Sequence, residues 1–232
     1  MTSDEAPLRR GGGMKYAPLA LPRRRLLLPA LALGGLLLAG CSTSGAKRHF
    51  KLGNEYQGTG RYVEAEEEYR EAIKLKPDFA EAHIQLGMAL RDRGKFKEAE
   101  AEYHEAIRIK PDYTEAWGCL GVLLNLQGKL EEAKTAYREV LRRKPNEPWA
   151  YFGLGIVFRN QGKNEEAIAN LREAVRLNPK EGFTLVVIAE ILDKEGKRRE
   201  ARAYWEKALK ADLHPEDPEL WLRVKKRLAE PD

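Results

Sequence analysis

Residues 83–111, "HIQLGMALRDRGKFKEAEAEYHEAIRIKP", carry a pattern from which the fold of most of the chain can be predicted. It recurs with changes 34 residues later as "WGCLGVLLNLQGKLEEAKTAYREVLRRKP", residues 117–145. Apolar residues fall at three- and four-residue spacing in both halves, which predicts two amphipathic helices. The glycine of "RGKF" or "QGKL" tolerates φ > 0 and so ends the first helix. The final proline stops the second helix, so the stretch predicts one helix–turn–helix unit.

The same unit recurs along most of the chain. The repeated positions are Leu-Gly pairs starting at Leu52, Leu86, Leu120 and Leu154; turn glycines Gly60, Gly94, Gly128 and Gly162; alanines Ala65, Ala99, Ala133, Ala167 and Ala201; and closing prolines Pro77, Pro111, Pro145 and Pro179. Small residues in each unit let its two helices approach closely. Overpacking such a site typically costs about 1–3 kcal/mol.

This pattern resembles the tetratricopeptide repeat (TPR) family, whose signature is W-x2-L-G-x2-Y, then A-x3-F, then P. The bulky opening position holds His49, His83, Trp117, Tyr151 and Leu185. The resemblance implies an all-α fold, a right-handed α-solenoid of five TPR units: 46–79, 80–113, 114–147, 148–181 and 182–215. The last unit departs from the pattern, since Ala189 replaces the glycine and Leu213 stands where proline is expected.

A further amphipathic helix is predicted after the repeats, within residues 216–232. Asp217-Pro218 fits an N-cap followed by proline in the first turn. The helix "ELWLRVKKRLAE" then places Leu220, Trp221, Val224 and Leu228 on one side. Because a terminal repeat has a neighbour on one face and water on the other, we interpret this segment as a capping helix and tail.

The N-terminal residues 1–40 have the pattern of an export signal. Arg23–Arg25 precede the uncharged run Leu26–Leu38, which has 13 residues and is shorter than the roughly 20 that a membrane span needs. The run ends in "LAGC", residues 38–41, which resembles the lipobox of bacterial lipoproteins. The resemblance implies that the leader is cleaved before Cys41, that Cys41 carries lipid, and that residues 41–45 form a short linker.

Three alternatives concern this leader. Cys41 could be a buried cysteine at the end of an uncleaved anchor helix, and "RRRLL" could belong to a twin-arginine signal, although the rest of that motif does not match. Residues 1–13 are not signal-like, so we expect translation to start at Met14. Ser42, rather than aspartate, follows the cysteine, which by the same resemblance favours the outer membrane.

Charge and residue content exclude several functions. The formal net charge of +5 comes largely from the leader, because residues from Cys41 onward contain 35 basic and 34 acidic side chains. Nucleic-acid binding is therefore not predicted. No serine follows Ser44, no histidine pair has metal-ligand spacing, and Cys119 has no evident basic partner. Carboxylates such as Glu66, Glu100 and Glu132 are expected on helix surfaces. We predict a non-enzymatic protein without cofactor or metal.

The resemblance also predicts a binding groove. In TPR folds the first helix of each unit lines a concave surface, and here that surface would form an exposed apolar stripe that binds a hydrophobic or amphipathic segment of a protein partner. The predicted groove residues are Phe50, Asn54, Ile84, Gln85, Met88, Val122, Trp149, Phe152, Ile156, Phe183, Val186 and Val187. The alternative is that superhelical curvature buries these side chains against each other. A chaperone-type carboxylate clamp is not predicted, because Phe50 replaces its lysine.

The leader and the repeats together predict a lipid-anchored scaffold in the bacterial cell envelope, facing the periplasm and reaching the membrane through Cys41. Among TPR lipoproteins the architecture most resembles the type IV pilus pilotins, which help secretin rings to assemble. Two other classes stay open: an adaptor that regulates cell-wall enzymes, and an enzyme.

Overall fold

The computed structural model describes residues 40–211 and 218–230, with side chains from residue 43 onward. Within these residues it contains eleven α-helices and no strand, which confirms the all-α solenoid. The predicted leader lies outside the described residues except for Gly40. So do residues 212–217 and 231–232.

The first ten helices form five consecutive pairs, and in each pair we call the first helix A and the second helix B. The pairs are α1 (Gly40–Gly58) and α2 (Tyr62–Leu75); α3 (Ala80–Asp92) and α4 (Phe96–Ile109); α5 (Thr114–Leu126) and α6 (Leu130–Arg143); α7 (Pro148–Asn160) and α8 (Asn164–Leu177); and α9 (Gly182–Lys194) and α10 (Arg198–Lys210). The helices of each pair pack on each other, and each B helix packs on the next A helix. A helices also contact in succession from α1 to α7.

The turn inside each pair depends on one glycine. Gly94 adopts a φ of 76°, and the following amide, Lys95 N, donates to the carbonyl of Leu90 at 2.9 Å. This bond spans five residues and closes the end of helix A in the manner of a Schellman motif. Gly60, Gly128, Gly162 and Gly196 have the same positive φ.

A second glycine sets the distance between the helices of a pair. A Cβ on Gly87 would lie 2.5 Å from Tyr103 Cε1, and one on Gly53 would lie 2.5 Å from Tyr69 Cε1. Both tyrosine rings are fully buried. In the first three units the predicted close approach is therefore made by a tyrosine ring of helix B lying on the glycine of helix A, and at Gly155 of the fourth unit Leu171 takes the place of the ring.

The start of α1 differs from the sequence expectation. Residues 41–45, predicted as a linker, are part of α1. Packing explains the extension, because Ala46 is fully buried and a Cβ on Gly45 would lie 3.1 Å from Leu75 Cδ1. The helix thus starts before the predicted first unit.

The last helix, α11 (Pro218–Ala229), packs on α10. Its buried residues are Leu220 and Val224. Two ion pairs join it to α9: Arg223 Nη2 lies 3.5 Å from Glu190 Oε1, and Arg227 Nη2 lies 3.3 Å from Asp193 Oδ2. This helix covers the end of the fifth pair, as a capping helix would.

Candidate protein-binding groove

The predicted groove residues all lie on A helices, but their exposure differs. Asn54 and Trp149 are exposed. Six are half-buried: Phe50, Gln85, Met88, Val122, Phe152 and Phe183. The remaining four are buried: Ile84, Ile156, Val186 and Val187.

The four buried residues correct the predicted exposed stripe. Ile84 and Val186 have no exposed surface, and Val187 retains 2%. The physical reason is that α3, α7 and α9 each pack against more than one neighbouring helix. Ile84 belongs to one core cluster, and Ile156, Val186 and Val187 belong to another. These side chains are therefore buried, but not all against each other as the curvature alternative supposed.

What stays accessible is a smaller surface, which we call the apolar patch: Val122, Leu126, Trp149, Phe152 and Phe183. Trp149 of α7 lies across Gly118 of α5, where an added Cβ would lie 2.5 Å from the indole. The rings of Phe152 and Phe183 are 5.7 Å apart and tilted, which links α7 to α9. The absence of a side chain at Gly118 thus gives the indole of Trp149 room to lie on this face.

Leu126 was missed by the sequence interpretation. The residue is 51% exposed, compared with 36% for Trp149. It lies four residues after Val122 and therefore on the same face of α5. That spacing was available in the sequence, but Leu126 ends the helix and falls outside the family positions that face inward.

Polar groups flank the apolar patch. Asn160 Nδ2 of α7 donates to Asn125 Oδ1 of α5 at 2.9 Å. At the other end of the array, Asn54 Oδ1 lies 2.7 Å from the Tyr69 hydroxyl. Asn54 is therefore oriented by the core tyrosine of its own unit, and Phe50 packs 5.9 Å from the same ring.

Cys119 lies between Glu115 and Val122 on α5. Burial, helped by the Glu115 carboxylate and opposed by the charge of Arg91, raises the pKa of its thiol to about 12. A thiol with this pKa stays protonated near neutral pH, and the thiolate is the nucleophilic form. Cys119 is therefore suited to packing rather than to nucleophilic chemistry.

One of the carboxylates expected on the surface is in fact buried. Glu66 of α2 is 5% exposed, and its oxygens contact Arg70, Arg93 and Lys95, the last at 3.1 Å. Burial would raise the pKa of Glu66, but the Lys95 hydrogen bond and the three positive charges together lower it. This cluster joins the first unit to the turn of the second.

The part of the chain that the structure describes has neither a metal site nor a membrane-spanning helix. No group of three or more His, Cys, Asp or Glu side chains among them has the arrangement needed to hold a metal ion. Within the same residues, no helix has both the length and the apolar character that a bilayer crossing requires.

The 34-residue helix pairs, the positive-φ turn glycine and the glycine–ring contact together define a tetratricopeptide repeat protein, a class whose repeats form extended binding surfaces. More particularly, the family model of the Cilia and flagella-associated protein 70 C-terminal domain, a TPR domain, matches residues 30–230, and the chain belongs to that family. No curated protein matches the chain. The chain is thus a TPR scaffold of the kind that binds peptide or protein partners.

Solved structures show the same fold. PilF of Pseudomonas aeruginosa shares 23% identity with a TM-score of 0.71, over 82% of this chain and 85% of PilF. TTC0263, a thermophilic TPR protein of Thermus thermophilus, shares 25% identity with a TM-score of 0.66, over 79% of this chain and 98% of TTC0263. YrrB, described as a TPR protein with an unusual peptide-binding site, shares 21% identity with a TM-score of 0.57, over 77% of this chain and 90% of YrrB.

Proposed function

We propose that this protein is a lipid-anchored TPR scaffold of the bacterial cell envelope, which uses the apolar patch to hold a hydrophobic or amphipathic segment of a protein partner. It faces the periplasm from the outer membrane, and its role is assembly rather than catalysis. The observation that carries the proposal is the apolar patch itself, since contiguous exposed apolar surface on a folded domain usually marks an interaction site.

The anchor is supported by the order of the sequence. The lipobox "LAGC" ends at Cys41, and α1 begins at Gly40. A lipid on this cysteine would therefore hold the repeats close to the bilayer, without a flexible tether. One acyl chain binds a membrane only marginally, whereas the lipoprotein family supplies three.

The patch is suited to a helix or an apolar strand of a partner. Trp149 and Phe152 supply aromatic surface, and aromatic residues commonly dominate binding energy at interfaces. Leu126 and Val122 extend that surface along α5, and an amphipathic helix in a groove is an established mode of recognition. The pathway we propose is type IV pilus or secretin assembly; the likeness to PilF shows the fold alone.

Lipidation is tested by metabolic labelling with palmitate. We expect labelling of the wild-type chain and none of Cys41→Ser, which should also stay unprocessed. Label that persists in Cys41→Ser would contradict the anchor, while leaving the apolar patch untouched.

The apolar patch is tested by photo-crosslinking in cells. A photoreactive residue at Leu126 should capture a partner, whereas the same residue at Leu222, which is 64% exposed on α11, serves as the matched control. Phe152→Ala should reduce the Leu126 adduct roughly tenfold or more, as loss of an interface anchor does. Equal capture from both positions would move the site away from the patch. Capture of a secretin or pilus component at Leu126 would support the proposed pathway. Capture of a cell-wall hydrolase or synthase would instead indicate an adaptor that regulates cell-wall enzymes.

A further inference from the structure

The repeat pattern is broken at three positions, one at the end of the fourth unit and two in the fifth, which meet in one cleft. This cleft, of about 510 Å³, lies between the end of α8, the start of α9 and the end of α10. Val175, Pro179 and Leu185 form its apolar part, and Lys180, Lys207 and Lys210 surround it. The three departures are Leu185, Lys180 and Lys207.

Leu185 replaces a polar ring. The other units have His49, His83, Trp117 and Tyr151 at this position. His83 Nε2 and Trp117 Nε1 each lie 3.1 Å from the carbonyl oxygen of the proline six residues earlier. Leucine has no hydrogen-bond donor and is smaller than Trp or Tyr, so it makes no such hydrogen bond to Pro179.

Lys207 reverses a charge. The first four units have glutamate here, and each glutamate pairs with the basic residue three positions later: Glu71 with Lys74 at 3.4 Å, Glu105 with Arg108 at 2.6 Å, Glu139 with Arg142 at 3.1 Å, and Glu173 with Arg176 at 2.6 Å. In the fifth unit the corresponding pair is Lys207 and Lys210. Lysine at both positions leaves the cleft without this internal ion pair.

Lys180 adds a third positive charge where the earlier units have Asp78, Asp112 and Asn146. Among the residues that the structure describes, no carboxylate lines the cleft and none of the three lysines has a carboxylate oxygen within 4 Å. Three like charges around an apolar floor repel one another, and a bound anion with an apolar portion would relieve that repulsion.

The cleft lies on the edge of the array from which the described chain starts. Gly45, near the start of α1, packs against Leu75 at the end of α2. A-helix starts and B-helix ends therefore share one edge, and the cleft is formed by the start of α9 and the ends of α8 and α10. A lipid on Cys41 would bring the beginning of this edge, at α1 and the end of α2, to the bilayer.

We infer that this cleft binds the headgroup of an anionic phospholipid, with the three lysines at the phosphate and the apolar floor against the glycerol and first methylene groups. Lysines near a bilayer surface are attracted to anionic lipid. The choice of a lipid as the occupant rests on the anchoring given under Proposed function. The cleft's preference for an anion that carries an apolar group rests on its lysines and its apolar floor, and is independent of that anchoring.

The test uses the full chain carrying Cys41→Ser, so that attached lipid cannot occupy the cleft. Three probes are titrated by calorimetry: phosphatidylglycerol with six-carbon chains, below its micelle concentration; the matching phosphatidylcholine; and inorganic phosphate. Lys207→Glu and Leu185→Tyr restore residues that other units tolerate, so both variants should fold. Lys144→Glu makes the same charge change on the same edge, between α6 and α7, and is the matched control.

Phosphatidylglycerol should bind more tightly than either other probe. Lys207→Glu should weaken it roughly tenfold or more, because each charge near a phosphate contributes a factor of about five. Leu185→Tyr should weaken it by filling the cleft, and Lys144→Glu should leave it unchanged.

Equal binding of inorganic phosphate would show a free-anion site and overturn the lipid assignment. Absence of binding, or equal effects of Lys207→Glu and Lys144→Glu, would overturn the site itself. Palmitate labelling and Leu126 crosslinking do not involve these residues, so failure here is distinct from failure of the proposed function.

Discussion

The glycine of each Leu-Gly pair controls how closely the two helices of a unit pack. At Gly87 the missing side chain is replaced by the ring of Tyr103, and a Cβ there would meet two ring carbons at 2.5 and 2.8 Å. Because Tyr103 is fully buried, the ring has little room to move away. The glycine is therefore required by packing, since φ at this position is not in the left-handed region.

We predict that Gly87→Ala lowers the free energy of unfolding by about 1–3 kcal/mol, as overpacking of a core does. Gly58→Ala is the control, because nothing lies within 4 Å of a Cβ at that helix end. Urea denaturation of both variants measures the difference. An equal effect of the two substitutions would contradict the packing argument.

The opening position of each unit shows a correlated pair of residues. His49 and His83 lie 2.7 and 2.6 Å from Glu68 and Glu102, each nineteen residues later. Trp117 has no second ring nitrogen that could pair with a carboxylate, and Ala136 lies nineteen residues after it in place of a glutamate. In the second unit both imidazole nitrogens face acceptors, since Nε2 meets the Pro77 carbonyl. Both nitrogens therefore donate when His83 is protonated.

This geometry predicts a pH dependence of stability. Burial would lower the pKa of His83, but the Glu102 and Pro77 hydrogen bonds and nearby carboxylates together raise it. A raised folded pKa means that the contribution is complete below the unfolded pKa, about 6.5, and is lost as pH rises through the folded value.

We expect the stability advantage of the wild type over His83→Gln to fall as pH rises from below about 6.5, the unfolded pKa, through the raised folded value, as measured by urea denaturation at several pH values. His104→Gln, at an exposed histidine of the same unit, is the control. An advantage that grows with pH would contradict the assigned pair.

Helix α11 ends the array by covering α10. Its packing depends on few contacts, because Leu220 and Val224 are its buried residues while Leu222, between them in sequence, is 64% exposed. The ion pairs of Arg223 and Arg227 with α9 are partly solvated, and such pairs contribute little. Burial of the apolar side is therefore what holds this helix.

Val224→Asp should release α11, because an unpaired carboxylate cannot be buried there without a large cost. We expect proteolytic removal of the helix to become at least about tenfold faster, since cleavage follows the population of the open form. Leu222→Asp tests whether charge alone has this effect. Similar rates for the two variants would contradict the cap.

Each unit contacts mainly its neighbours, so one internal unit can be deleted while the other units keep most of their contacts. Deletion of residues 80–113 leaves Trp149 on Gly118, and Tyr137 against Gly153, where an added Cβ would lie 2.4 Å from the ring. Deletion of residues 114–147 removes Tyr137 and puts Ile84 in the place of Gly118. Both deletions shorten the array, but only the second removes the contact between Trp149 and Gly118.

We predict that both shortened chains keep the helical content per residue of the parent, as expected for nearest-neighbour stacking. The chain lacking residues 114–147 should melt at the lower temperature of the two. Circular dichroism with thermal melts measures both quantities. A large loss of helix per residue in both chains would indicate long-range contacts instead.

The class, the number of helix pairs and the positions of their turns could all be predicted from the amino-acid pattern. These follow from local rules, because helical periodicity, turn glycines such as Gly94 and stopping prolines such as Pro111 act within one unit. Repetition at 34 residues then made one unit sufficient to describe five. The sequence also marked Trp149 and Phe152 as apolar residues on A helices.

Which of these residues are accessible to solvent could not be predicted from the pattern and is seen in the folded structure. Ile84 and Val187 have the same apolar character as Val122, yet neighbouring helices bury the first two and leave the third half-exposed. The structure likewise placed Glu66 in the interior and extended α1 through residues 41–45. The physical reason is that burial depends on the angle and distance between successive units, which arise from contacts between residues in different helices and are not expressed in the periodicity of any single helix.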